Sequence, residues 1–273
     1  FNESYKIISR KEKHQNVALI SGGGSGHEPA HAGFVGQGML DAAVCGDVFA
    51  SPSQIQVYKA LQQVATDKGV LMIIKNYSGD MMNFQNAAAL ATEDGIKVDY
   101  VKVADDIAVK DSLYTVGRRG VAGTIFVHKI AGAAASKGYE LARVKELAQK
   151  AAHNVISLGF AYTSCTVPAK GTPTFTLADD EMEYGVGIHG EPGIRREKIL
   201  PSKELAQRIV DDLFLDRPNL TEVAVLVNGF GTTPLQELYV FNNDVCEHLA
   251  SKGIKIYRTF VGNYMTSIDM AGA

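Results

Sequence analysis

The chain has no tryptophan and only three cysteines, Cys45, Cys165 and Cys246, among 273 residues. They are odd in number, dispersed, and lack a C-x-x-C spacing, which argues against a disulfide framework or a cysteine metal site. They read as small buried hydrophobes in a reducing cytoplasm. No apolar run approaches the ~18 residues a spanning helix needs, so no membrane segment is expected. No signal peptide is visible. Basic runs interleaved with aromatics are missing, and with a formal net charge of −3 the chain has no nucleic-acid footprint. No internal repeat of about 20 to 50 residues appears. The chain starts on Phe1 rather than Met, and Ser267-Ile268-Asp269-Met270 before Ala273 looks unfinished. Both native termini are therefore expected to lie beyond the sequence.

What is present is an ordinary globular composition, 46% hydrophobic and 21% charged, enough for one large or two moderate domains. The chain is organised around Ser21-Gly22-Gly23-Gly24-Ser25-Gly26-His27-Glu28-Pro29-Ala30-His31. Val17-Ala18-Leu19-Ile20 before it reads as a strand covered on both faces. Pro29 sits where a first helical turn would begin. Strand, glycine loop and helix start together place backbone N–H groups where a ligand's oxygens can approach.

Three sharper motifs fit poorly. A phosphate loop needs Lys followed by Ser or Thr after its glycines, and none follows. The dinucleotide fingerprint is only loosely met, without an acidic residue to hold a ribose. His27-Glu28-Pro29-Ala30-His31 matches the zinc-protease pattern H-E-x-x-H, but Pro29 would leave His27 in the loop, off the helix the pattern requires. A small oxygenated ligand remains the expected occupant, against the plainer reading of a tight turn with a buried histidine.

Downstream, residues 1–16 read as an extended surface segment and Gly38 to Val44 as a second strand. Ser51-Pro52 opens a helix to about Ala65, with Ile55, Val57, Tyr58 and Leu61 facing the sheet. Gly69 to Ile74 has no polar alternation and reads as a central strand. A polar loop, Lys75 to Asp80, then leads into a helix over Met81 to Thr92. A strand at Val98 to Val103, the charged loop Asp105-Asp106, and helices near 123–135 and 139–153 follow. Beyond 154 the pattern breaks into short pieces, with strands expected at Ile156 to Tyr162, Pro173 to Leu177 and Gly185 to Ile188. Alternation resumes with helix 202–214, strand Val223–Val227, helix 234–250 and strand Ile254–Val261. The expected fold is two α/β domains, residues 1–154 and 155–273, with mainly parallel or mixed sheets flanked by helices.

Two groups of residues can do chemistry. Asp80 is an N-cap on the plain reading and a proton acceptor for a substrate hydroxyl on the functional one. Lys75 could steer an anion or hydrogen-bond a hydroxyl. The second group is Glu183-Tyr184-Gly185-Val186-Gly187-Ile188-His189-Gly190-Glu191-Pro192-Gly193, where small residues give access to the imidazole of His189. Neutral imidazole could attack a carbonyl, coordinate a metal, or be a buried hydrogen-bonded ring. His14, His128, His153 and His248 read as surface or packing residues. Arg118-Arg119 is a weak phosphate signal. Thr233, after Asn228-Gly229-Phe230-Gly231-Thr232, is the expected cap of a helix.

Taken together, these stretches resemble one family. The markers are Leu19 to Pro29, Ile74 to Asp80, Asp111-Ser112-Leu113-Tyr114, Gly117 to Ala122, Gly185 to Gly193 and Asn263-Tyr264-Met265-Thr266-Ser267. They resemble, over essentially the whole chain, the substrate-binding subunit of phosphoenolpyruvate-dependent dihydroxyacetone kinases, found also as the N-terminal domain of ATP-dependent ones. The resemblance implies that His189 bonds covalently to the ketone carbon of dihydroxyacetone, giving a hemiaminal. It implies that His27 and Asp80 contact the hydroxyls, Asp80 as base, with Gly24 in backbone contact and Lys75 and Ser51 lining the pocket. It further implies a cytoplasmic homodimer that binds no nucleotide. An all-helical partner subunit would carry ADP/ATP with magnesium, recharged by a phosphotransferase-system subunit. Relatives that bind dihydroxyacetone and activate a transcription factor supply the alternative, a non-catalytic sensor.

Overall fold

The computed structural model describes residues 1–110 and 115–273, so the marker at residues 111–114 lies outside the described residues. The chain divides into two compact units: residues 1–105 with 110–155, and residues 106–109 with 156–273.

The first unit is built on the apolar runs that the sequence places at regular intervals. Its five-stranded sheet has the order β1-β3-β2-β4-β5, comprising β1 (Ile7–Ser9), β2 (Ala18–Ser25), β3 (Ala42–Val48), β4 (Val70–Lys75) and β5 (Val98–Val103). All neighbours are parallel except β1, which runs antiparallel to β3. In β4 every residue is buried. Val70, Met72 and Ile74 face one core with Val57 and Leu61 of α1 (Gln54–Val64) and Phe84 of α2 (Ser78–Glu93). Leu71 and Ile73 face the other, with Val127 of α3 (Thr124–Ser136) and Val144 of α4 (Leu141–Asn154). A strand with helices on both faces has no solvent side, which is why it shows no alternation. Each such aliphatic side chain contributes about 1.5–3 kcal/mol by its burial.

Several expectations are corrected here. The segment 1–16 is not wholly at the surface, because Ile7 is fully buried as β1 pairs with β3. The strand expected at Gly38 to Val44 starts at Ala42 and runs to Val48. Ser53 caps α1 through a capping box with Gln56, and Ile55 points largely to solvent at 47% exposure. No helix starts at Pro29. The strand β2 runs on through the glycines to Ser25, and only a 3-10 turn, Ala32–Phe34, follows. Gly33, Gly36 and Gly38 are poor helix formers, and the chain there folds back on itself, with Leu40 N–H donating to Phe34 O. Asp80 is the third residue of α2 rather than its cap, since the cap position is Tyr77. The charged loop Asp105-Asp106 is a loop, and both carboxylates in it are buried. The Asp105 carboxylate accepts from the N–H groups of Val121 and Gly123, at the start of α3.

The second unit holds an antiparallel sheet of β6 (Phe160–Ala161), β7 (Glu181–Tyr184) and β8 (Arg195–Lys198). It also holds a parallel pair, β9 (Glu222–Asn228) with β10 (Lys255–Gly262), and the helices α5 (Ser202–Asp216) and α6 (Leu235–Ser251). Strands are absent from Pro173 to Leu177 and Gly185 to Ile188. The pairing shifts upstream to β7, so that residues 185–194 form the long turn of the β7–β8 hairpin. Thr233 does not cap α6: its hydroxyl donates to Gly272 O and accepts from Gly272 N–H.

Candidate functional site

In the first unit β2 and β4 are neighbours whose following segments leave toward opposite sides of the sheet, to β3 and to β5. A polar crevice forms at such a reversal, beyond the carboxyl ends of the strands. The C-terminal glycines of β2, the turn before α1, the last residue of β4 and the first turn of α2 meet at that edge.

Lys75 ends β4 and Asp80 sits one turn into α2, which places Lys75 Nζ 3.3 Å from Asp80 Oδ2. The other carboxylate oxygen, Oδ1, accepts from Ser51 Oγ at 2.5 Å. The ammonium also lies 5.2 Å from the centroid of the Tyr77 ring, a cation–π contact that helps offset its burial. Gly23 closes this cluster from β2, since a Cβ there would stand 2.6 Å from Lys75 Nζ. A Cβ at Gly24 would stand 2.6 Å from Ala50 N, so backbone meets backbone beside Phe49. His27 is buried, and its ring stacks on Phe49 with centroids 5.0 Å apart. Ser51, Lys75, Asp80 and Gly23 are thus assembled together, with Gly24 and His27 on the adjoining Phe49–Ala50 turn.

Residues 27–31 form no helix, so the geometry that the zinc pattern requires is not met. His31 is buried instead, its Nδ1 3.1 Å from His128 Nε2 and 3.4 Å from Ser21 Oγ. Burial, with the Lys75 charge adding to it, depresses both imidazoles, His31 well below its usual value and His128 to about 3. Both are neutral rings at pH 7. Sequence reading assigned no role to Tyr77 or Asn76. The Asn76 amide, on the same polar string, donates to Val116 O and Arg118 O and fixes that loop against β4.

His189 lies in the second unit, on the β7–β8 turn. Its backbone N–H donates to Glu191 Oε2 at 3.0 Å, and the ring is half-buried. Gly190 follows with φ +71, where a Cβ would stand 2.5 Å from Cys165 Sγ. Cys165 is buried beneath that turn, and burial raises its thiol. Among the described residues no group of three or more His, Cys, Asp or Glu could hold a metal, and no helix is long and apolar enough to cross a membrane.

The first unit is a mainly parallel α/β sheet with a buried Lys75–Asp80–Ser51 cluster at the carboxyl ends of its strands. The comparisons specify it further: the chain belongs to the Dak1 domain family, which matches residues 1–273. A PTS-dependent dihydroxyacetone kinase subunit of Listeria innocua, the dihydroxyacetone-binding subunit DhaK, is 55% identical over 99% of this chain and 83% of its own. A solved dihydroxyacetone kinase operon co-activator, Dha-DhaQ, matches with TM-score 0.94 at 41% identity, covering 100% of this chain and 85% of that one. The dihydroxyacetone kinase of C. freundii, solved with AMP-PNP and Mg2+, matches with TM-score 0.90 at 42% identity. This chain covers 49% of it and is itself covered to 97%.

Proposed function

We propose that this chain is the dihydroxyacetone-binding subunit of a dihydroxyacetone kinase. The observation that carries the reading is the near-complete match to such a subunit in Listeria innocua, together with the buried Lys75–Asp80 pair. Dihydroxyacetone offers few atoms, so hydrogen bonds alone give limited affinity and selection. A reversible bond selects a ketone over glycerol. The neutral imidazole of His189 adds to the ketone carbon, the carbonyl π pair moves to oxygen, and that oxygen takes up a proton as the ring loses its own. The product is a hemiaminal that retains every atom of the triose. Asp80 accepts the proton of the hydroxyl to be phosphorylated, Lys75 and Ser51 hold that carboxylate, and His27 and Gly24 contact the substrate's oxygens.

A separate, helical subunit would hold the nucleotide, ATP as donor and ADP as the product left behind, with magnesium to neutralise charge. A phosphotransferase-system subunit recharges that nucleotide, and this chain acts as a cytoplasmic homodimer of two α/β domains. A single-chain ATP-dependent enzyme is the variant of this reading suggested by the C. freundii relative. A second reading, a dihydroxyacetone sensor that activates a transcription regulator, draws on the co-activator's TM-score of 0.94. Incubation with the nucleotide subunit, phosphoryl donor and dihydroxyacetone separates them. Formation of dihydroxyacetone phosphate supports the kinase, and binding without phosphorylation supports the sensor. His189→Ala is expected to abolish the triose adduct in intact-mass spectra; an adduct persisting in that variant would overturn the assignment.

A further inference from the structure

The β7–β8 hairpin contains a carboxylate that the proposed chemistry does not use. Glu183 pairs with Arg196 across the ladder, and its side chain is 4% exposed against 44% for the arginine. Arg196 Nε donates to Glu183 Oε1 at 2.9 Å, and its Nη2 lies 2.9 Å from the same oxygen in an ion pair. The other oxygen, Oε2, accepts the N–H of Gly193 at 3.0 Å. Gly193 lies near the end of the turn that carries His189, where a Cβ would stand 2.3 Å from Tyr184 O and 3.2 Å from Glu183 Oε2. The turn is closed a second time by Ile194 N–H donating to Tyr184 O at 2.8 Å.

A carboxylate withdrawn from water is costly unless it is paired and hydrogen-bonded, and a hairpin can be closed by backbone bonds alone. From the β7 end of the turn, this one reaches across to the other end, one oxygen on Gly193 N–H and the other on Arg196 just beyond it in β8. The fixed ends leave residues 186–192 a short span in which to orient the imidazole. The remaining backbone is held by Gly185 N–H to Gly159 O at 2.7 Å and by His189 N–H to the Glu191 carboxylate.

We infer that Glu183 is a positioning residue for His189: through Gly193 N–H and Arg196 it sets the closure of the turn, and so the approach of the imidazole to the substrate carbonyl. Its partner in this role is Arg196. The inference rests on the proposed nucleophilic role of His189. The positioning group touches no substrate, so its removal changes how well the ring is aimed rather than whether it reacts. Small misplacements of a reacting group are costly, which sets the scale of the expected effect.

The test measures the dihydroxyacetone dissociation constant by calorimetry and adduct occupancy by intact mass. The full chain is used as wild type, Glu183→Ala, Glu183→Gln, Arg196→Ala and Arg196→Lys, with circular dichroism and melting temperature recorded for each. The expected result is a weakening on the order of tenfold to a hundredfold for Glu183→Ala with a native spectrum. A smaller loss is expected for Glu183→Gln, which keeps an acceptor for Gly193, and Arg196→Lys should recover part of what Arg196→Ala loses. A folded Glu183→Ala with wild-type affinity overturns the inference, and so does loss of fold in every variant, which would make the residue purely structural. Wild-type protein that binds no triose would instead remove the parent reading, and His189→Ala serves as the reference for that outcome.

Discussion

Lys75 Nζ and Asp80 Oδ2 stand 3.3 Å apart with side chains only 1% and 3% exposed, a buried ion pair. Removing one member of such a pair leaves the other buried without compensation, at a cost of about 3–5 kcal/mol. Asp80→Ala is therefore expected to lower unfolding free energy by that order, read by urea denaturation. Asp80→Asn keeps an acceptor for Ser51 and should retain triose binding while turnover falls by about 100-fold to 10,000-fold, the usual contribution of a general base. Unchanged turnover in Asp80→Asn would remove Asp80 as the base.

The His31–His128 contact predicts a pH dependence. Both rings are buried and held neutral, His128 with a value of about 3, whereas an unfolded histidine titrates near 6.5. Between those values the unfolded chain binds more protons than the folded one, so stability rises with pH there and is flat above about 6.5. His128 contributes a slope approaching about 1.4 kcal/mol per pH unit inside that window, and His31, also depressed by burial, acts in the same direction. His128→Leu should reduce the acid-side slope by about one proton's worth, measured as unfolding free energy at pH 4 to 7. An unchanged slope would contradict the assignment.

The parts of this fold legible in the sequence are those where one physical signal dominates. The unbroken run of β4 and the alternation of α5, β9, α6 and β10 match the expectation, because burial on both faces or helical spacing determined them, whereas the string expected as a loop through Asp80 turns helical from Ser78. Reading failed where long-range pairing chose between near-equal local options. Gly185 to Ile188 is apolar enough for a strand, yet β7 forms just upstream because Glu181–Tyr184 finds β8 as a partner. Ile7 looked like surface because its burial depends on β3, far along the chain. The burial of Asp105 was not legible either, because the N–H groups that it accepts from belong to residues 121 and 123. His27 and Asp80 were visible as residue types, but the contacts of Asp80 with Ser51 and of His27 with Phe49 needed coordinates.

Gly190 offers a steric test of the turn that bears His189. Its φ of +71 disfavours a side chain, and a Cβ would stand 2.5 Å from Cys165 Sγ and 2.9 Å from Thr174 Oγ1. Gly190→Ala is expected to cost about 1–3 kcal/mol from backbone strain and overpacking together. Adding Cys165→Ala should return only the overpacking due to Sγ, because the Thr174 contact and the backbone strain remain. A denaturant midpoint fully restored in the double variant would show that the φ contributes nothing.

Ser51 gives the last test, because it isolates one oxygen of Asp80. Its hydroxyl donates to Oδ1 while Lys75 engages Oδ2, and Gly79 lies close enough that a Cβ there would stand 2.8 Å from Ser51 Oγ. A hydrogen bond to a charged group contributes about 1.5–3 kcal/mol, more than a neutral one. Ser51→Ala leaves the ion pair intact but frees the carboxylate to rotate about χ2. Stability should therefore fall by about that amount, and turnover should fall more than triose affinity does, because the base is misaligned rather than absent. Equal losses in turnover and affinity would mean that Ser51 acts on bound substrate directly, and an unchanged turnover would mean that Lys75 alone suffices to aim Asp80.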